Sequence, residues 1–306
     1  MTMPTHLLLW VLFNVFIFSL LILDLTVFHK KAHTVKMKEA LLWSAFWVSL
    51  ALIFNLGVGL VAGQDKALQF FTGYVLEESL SIDNLFVFIQ LFNYFRVPTH
   101  FQHRVLFWGI LGVIITRASF ILGGIALMGT FHWIIYVFGA FLVFTGIKIG
   151  LGHEGELRPE KNLVIRFLRK FFNFSDTFED GKFFIKKNGV TYITSLLIVL
   201  VTIEMTDIVF AIDSIPAVLA VTNDSFIAYS SNLFAVLGLR ALYFALSGMM
   251  GLFHYLKYAL AAILIFIGFK MLLSGLVHFS TLVSLGFIVV VLALAIGASL
   301  MHKKAT

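Results

Sequence analysis

The sequence has no cysteine, only four prolines and little charge: Asp, Glu, Lys and Arg make up 12% of its 306 residues. Each shortage excludes something. Without cysteine there is no disulfide, no thiolate metal ligand and no thiol nucleophile. A soluble domain carries roughly twice this charged fraction. No G-x-x-x-x-G-K-[ST] loop is present to cradle a nucleotide phosphate. The ten histidines fall in loops or near the ends of apolar runs, which argues against the imidazole sites that zinc, copper and nickel favour. What is abundant is apolar: 60% of the residues are hydrophobic, 35 of the 306 are Phe, and the mean hydropathy is +0.99. That is the composition of a polytopic membrane protein.

Nine apolar segments follow one another, at roughly 7–28, 40–62, 67–95, 105–128, 131–152, 191–221, 226–250, 257–276 and 281–301. Each reaches the ~20 residues that a helix needs to cross the hydrocarbon core, so the reading is all-α with nine transmembrane helices. The third and sixth are longer than a crossing requires and are expected to tilt or to break near their acids. No Lys or Arg precedes the first run and no small-residue cleavage site follows it, so it is expected to be a retained helix. With nine crossings, seventeen loop Lys and Arg fall on one side and only Lys66 on the other. The positive-inside rule then puts the N-terminus outside and the C-terminus in the cytoplasm, in the cell (inner) membrane. The net charge of +6 is thus a topology signal, and no nucleic-acid surface is expected. In the long polar loop 153–190, Val164, Phe167, Leu168 and Phe171 recur at helical spacing beside Arg166, Arg169 and Lys170. They predict a helix lying on the inner leaflet.

The chemistry concentrates in residues 204–216, reading EMTDIVFAIDSIP, and in an upstream copy at 77–84, reading EESLSIDN. Glu77-x5-Asp83-Asn84 aligns on Asp207-x5-Asp213-Ser214. Each copy is followed by a mid-helix arginine before alanine, Arg117 and Arg240, and then by F-x-G-x-K, ending at Lys148 and Lys270. Helices three to five therefore repeat as helices six to eight. Three is odd, so the copies cross the membrane in opposite senses, the inverted arrangement of secondary transporters. This divides the chain into two N-terminal helices (1–62), a first repeat (63–152), the loop with its interfacial helix (153–190), an inverted second repeat (191–276) and a ninth helix with the C-terminus (277–306).

Acids inside spans are costly and mark ion or substrate paths. Seven of the 16 acids lie there (Asp24, Glu77, Glu78, Asp83, Glu204, Asp207 and Asp213) against four bases. The surplus calls for bound cations or protons. Carboxylates with neutral oxygens suit hard cations: magnesium, calcium or manganese. The expected ligands are Glu77, Asp83, Asn84, Glu204, Asp207, Asp213 and Ser214, joined by the carbonyl of Ile212, which Pro216 cannot serve as donor. Asp207 and Asp213 lie about 120° apart on a regular helix. A single site using all these residues therefore needs a break in each helix. Arg117 and Arg240 are expected to pair with acids, and Glu78, which faces Ile208 in the alignment, to carry a proton or pair with a base. Lys148 and Lys270 sit toward helix ends, in coupling or charge-pairing positions from which they can also snorkel. Met205 reads as core packing and Asp24 as a partner for a basic loop residue.

At these residues the chain resembles a known family. EESLSIDNLFVF, EMTDIVFAIDSIPAVLAVT, SNLFAVLGLRALYF and FLVFTGIKIG are similar to the TerC family of membrane proteins, most of all its Alx-type branch, from Asp24 through the ninth helix. The resemblance implies a fold of the LysE-transporter type and export of divalent metal, chiefly manganese. It places the family's motif acids on Glu77, Asp83, Glu204, Asp207 and Asp213. The resulting expectation is a secondary transporter that exports Mn²⁺ in exchange for protons, working in the bilayer without a prosthetic group and not as an enzyme, with a homo-oligomer left open. The competing readings are an exporter of Ca²⁺ or another cation, and a tellurite- or pH-stress protein without transport. An intramembrane aspartyl protease using Asp83 and Asp213 would lack its Gly-x-Gly-Asp motif.

Overall fold

The structure, a computed structural model, describes residues 3–23, 37–152, 172–175, 177–178, 181–187, 189–247, 255–277 and 279–305. Asp24 and the expected interfacial helix lie outside the described residues. Nine helices are described: α1 (Met3–Leu23), α2 (Met37–Ala62), α3 (Gln64–Tyr94), α4 (Thr99–Thr130), α5 (Ile134–Gly150), α6 (Ser195–Leu219), α7 (Ser225–Ser247), α8 (Leu256–Leu272) and α9 (Thr281–Ala305). Turn chemistry divides them. Gly63, at φ +94°, separates α2 from α3, and Gly152, at φ +71°, follows α5; both use a backbone region that other residues avoid. Pro98 precedes α4, where its fixed φ and missing N–H cost nothing.

Among the described residues, α2, α4, α6, α7 and α9 are long and apolar enough to span a membrane. The chain is a multi-pass membrane protein. Large apolar side chains such as Leu42, Leu56, Leu60 and Leu294 point outward, as lipid-facing positions do. Helices α5 and α8 are shorter than their apolar runs, 17 residues each, and rise about 26 Å, near the lower limit for a span. The long helices do not break. The 31 residues of α3 and the 25 of α6 are continuous, and α6 runs through Pro216. The expected break at that proline is therefore corrected. Proline removes one hydrogen bond, and Pro216 stands only three residues before the helix ends, where few further bonds are at stake.

A second correction concerns residues 190–194. They form a strand rather than the start of the sixth helix. Four of the five residues in Val-Thr-Tyr-Ile-Thr are β-branched and favour extended backbone. With β1 (Asn173–Ser175) and β2 (Phe184–Lys187), β3 (Val190–Thr194) makes a small sheet of order β1-β3-β2. β1 runs parallel to β3, with Phe174 opposite Ile193; β2 runs antiparallel, with Ile185 opposite Tyr192. The Thr194 hydroxyl donates to the Lys182 carbonyl at 2.7 Å as the chain enters α6.

Packing follows the repeat. α5 lies against α8, α3 against α7, and α4 against α6. This pattern is unchanged when α3–α5 are exchanged with α6–α8. Close contacts reproduce it. A Cβ on Gly139 would stand 2.9 Å from the Gly268 carbonyl oxygen, and one on Gly146 2.8 Å from that of Ala261. Gly146 and Gly268 are equivalent in the F-x-G-x-K repeats, and the same shift relates Gly139 to Ala261, so the two contacts exchange. Rising numbers on α5 meet falling numbers on α8, which makes the pair antiparallel. Small residues of this kind let membrane helices approach closely. Outside the repeat, α2 packs on α3 and α7, and α9 packs on α8 and α3. α1 joins through Trp10, stacked on Tyr229, and Phe13, which meets the same ring edge-on; the Tyr229 hydroxyl donates to Asn14 at 2.7 Å.

Candidate metal-transport site

Because α3 and α6 are regular, acids six residues apart on each helix point in different directions. The first acid of each copy enters one buried cluster. Glu77 and Asp207 are both fully buried, and Arg117 of α4 lies between them at 1% exposure. The guanidinium donates to Asp207 through Nη2 at 3.0 Å and Nε at 3.4 Å, and to Glu77 through Nη1. Glu77 also accepts from the Ser81 hydroxyl at 3.2 Å and from Asn232 Nδ2 at 2.8 Å. One cation thus serves a carboxylate from each repeat, and neutral donors complete the shell around Glu77. Such bidentate, charge-assisted bonds are the strong ones.

The second acid of each copy faces a cavity of about 620 Å³. Asp83 and Asn84 of α3, Asp213 and Ser214 of α6, and Thr145 and Lys148 of α5 all line it, with Met205 and two leucines of α8 on the apolar wall. Thr145 donates to Asp213 Oδ1 at 3.1 Å. Ser214 touches both groups, since its hydroxyl also accepts from Arg117 Nη1 at 3.4 Å. Asn84 Nδ2 is buried with no hydrogen-bond partner among the described residues. The lining extends to Gln90 and Ile149, so the cavity runs from mid-helix toward the C-terminal ends of α3 and α5. Two carboxylates with amide and hydroxyl oxygens form a hard donor set.

The remaining expected site residues lie elsewhere. Glu204 is seated against a glycine notch in α4, where a Cβ on Gly112 would overlap its carboxylate and Gly109 flanks it. Its Oε1 is buried without a partner among the described residues. Glu78 also has a buried, unpartnered oxygen, Oε2, and lies near Gly238 of α7. Arg240 is buried in α7. Lys270 donates to the Ser284 hydroxyl of α9 at 3.0 Å. Ile212 is outside the acid-lined cavity and borders a separate apolar one of about 430 Å³ with Pro216, Gly123 and Gly124. The acids are therefore not pooled: among the described residues no three acids or histidines gather where one metal could hold them. Thr145, Ser81 and Asn232 were not singled out in the sequence. Thr145 stands inside the F-T-G-I-K motif, three residues before Lys148, and that spacing was the available signal.

Comparison with known proteins agrees with this architecture. Residues 62–306 match the family model described as Integral membrane protein TerC family. The chain is 48% identical over 296 residues to "Uncharacterized membrane protein STKORF319" of Myxococcus xanthus, covering 97% of this chain and 93% of that protein. It is 46% identical over 290 residues to "Putative membrane-bound redox modulator Alx" of Escherichia coli K12, covering 92% of this chain and 90% of that protein. No solved structure matches it.

Proposed function

The chain belongs to the TerC family of integral membrane proteins, and on that premise we propose that it is a secondary transporter exporting divalent metal, Mn²⁺ foremost, from the cytoplasm in exchange for protons. The carrying observation is that the repeat-equivalent pairs Asp83-Asn84 and Asp213-Ser214 line one cavity. Their oxygens suit a hard divalent cation. Glu77 and Asp207 act as structure, tied to Arg117, while Asp83 and Asp213 supply two negative charges for the ion. In the orientation that loop charge favours, across the inner membrane with the N-terminus outside, the cavity lies toward the cytoplasmic ends of α3 and α5. That is the side from which an exported ion enters.

Moving two positive charges outward against 100 mV costs roughly 4.6 kcal/mol. The sequence carries no phosphate-binding loop to draw on ATP, so an inward proton gradient supplies the work. Metal binding from the cytoplasm displaces protons from the cavity carboxylates; protonation from outside releases the metal. An exchange of two protons per metal would be electroneutral, and the flux ratio is open to measurement. The test is growth in toxic Mn²⁺ of cells relying on this protein. Asp213→Asn, expressed at the wild-type level, abolishes tolerance if the proposal holds. Tolerance unchanged in Asp213→Asn contradicts it, and tolerance to Ca²⁺ but not Mn²⁺ reassigns the cargo.

A further inference from the structure

The two F-x-G-x-K lysines, equivalent in sequence, have different surroundings. Lys270 is bound to Ser284 because α9 packs over that side of α8. Among the described residues α9 packs on α8 and α3 rather than along α5, so the other lysine has no equivalent partner helix. Lys148 lines the acid cavity instead, three residues along α5 from the Thr145 that donates to Asp213. It shares the cavity wall with Asp213 and Asp83. It is exposed and stands two residues from the end of α5 at Gly150. A four-carbon stem there can carry the charge either into the cavity or out to the membrane surface.

A positive charge in a cation cavity asks for a reason. Asp83 and Asp213 together carry two negative charges. With Lys148 among them the cavity is one charge short of a match for a divalent ion, and the ammonium and the ion repel each other. With Lys148 withdrawn, the match is complete. We propose that Lys148 is a tethered counter-cation of the transport cavity: it sits beside Asp213 when no metal is bound, withdraws toward the membrane surface when metal enters, and helps to expel metal when it returns. This rests on the reading of the cavity as the metal site. It makes Lys148 a positioning residue that weakens binding and speeds release.

The test uses the purified full-length protein, with Mn²⁺ titrated calorimetrically in nanodiscs and Mn²⁺ flux measured in proteoliposomes. Lys148→Met and Lys148→Gln are both expected to lower the Mn²⁺ Kd by about tenfold or more and to lower the maximal flux. Lys148→Arg, which keeps the charge, holds the Kd near wild type. Lys270→Met, which removes the equivalent charge outside the cavity, also leaves the Kd unchanged. A wild-type Kd in both neutral Lys148 variants overturns the inference while leaving the metal site standing, as does a Lys270→Met shift equal to that of Lys148→Met. A wild-type protein that binds no Mn²⁺ overturns the metal reading, and this inference with it.

Discussion

Arg117 grips Asp207 with two nitrogens, Nη2 at 3.0 Å from Oδ1 and Nε at 3.4 Å from Oδ2. The same guanidinium holds Glu77 of the other repeat. The contact joins two halves of the molecule at a place shielded from bulk solvent, and on the proposed reading Glu77 and Asp207 hold the structure rather than the ion. Removing the cation would leave two buried carboxylates facing each other. Arg117→Met is therefore expected to destabilise the protein by about 3–5 kcal/mol, the usual cost of stranding a buried charge. Thermal unfolding in detergent, followed by size-exclusion chromatography, checks this. Asp207→Asn, which keeps an acceptor oxygen for Arg117, should fall between Arg117→Met and wild type.

The division of acids predicts a division of phenotypes. Asp83→Asn and Asp213→Asn should lose Mn²⁺ binding while melting near the wild-type temperature, because these residues line a cavity. Glu204→Gln should keep Mn²⁺ binding, because Glu204 is seated on Gly109 and Gly112 of α4 and not on the cavity wall. Calorimetric titration of the three variants with Mn²⁺ makes the comparison.

Much of this was legible in the sequence, and the reasons are physical. Bilayer-length apolar runs leave little freedom, so the nine described helices fall within or near the runs, apart from the strand at the start of the sixth. The spacing of Glu77 to Asp83 and of Asp207 to Asp213 already implied two directions on a regular helix. The expectation of one pooled site required breaking α3 and α6, and it gave Pro216 more disruptive power than a proline three residues from a helix end possesses. The strand at Val190–Thr194 was hidden because β-branched residues inside an apolar run read as helix by hydropathy and as strand by propensity, and only pairing with β1 and β2 decides. The different environments of Lys148 and Lys270 were not legible at all, since they depend on which face of the repeat α9 covers.

The α5–α8 crossing depends on the absence of side chains. A Cβ on Gly268 would stand 2.7 Å from the Gly139 carbonyl oxygen, whereas at Gly286 of α9 nothing lies within 4 Å. Gly268→Ala should cost about 1–3 kcal/mol as an overpacked contact. Gly286→Ala should be neutral or slightly stabilising, as alanine is the better helix former. Melting temperatures of the two variants against wild type give the answer.

Asp224 gives a pH prediction outside the spans. It precedes α7, accepts from the backbone N–H groups of Phe226 and Ile227 at 3.0 and 3.2 Å, and pairs with Lys66 at 2.8 Å. Partial burial pushes its carboxyl up, but the Lys66 ammonium and the two N–H donors outweigh this and hold it below the ordinary carboxylate value. A depressed folded value means that the charge stabilises the fold above the unfolded value of about 3.9, and that this contribution is lost as pH falls through the folded value. Asp224→Asn keeps a capping oxygen and removes only the charge. Its melting temperature should lie slightly below wild type from pH 5 to 8, by a margin limited by exposure of the Lys66 pair to solvent; the difference should start to shrink below about pH 4 and vanish only below the depressed folded value.

The most direct test of the account is coupled flux through the cavity. Purified protein in sealed vesicles, with a pH-sensitive dye inside and a Mn²⁺ gradient imposed, should move protons in the direction opposite to the metal, and vesicles carrying Asp213→Asn should show neither movement. Mn²⁺ flux without proton movement across a range of pH, or an Asp213→Asn protein as active as wild type, would contradict it.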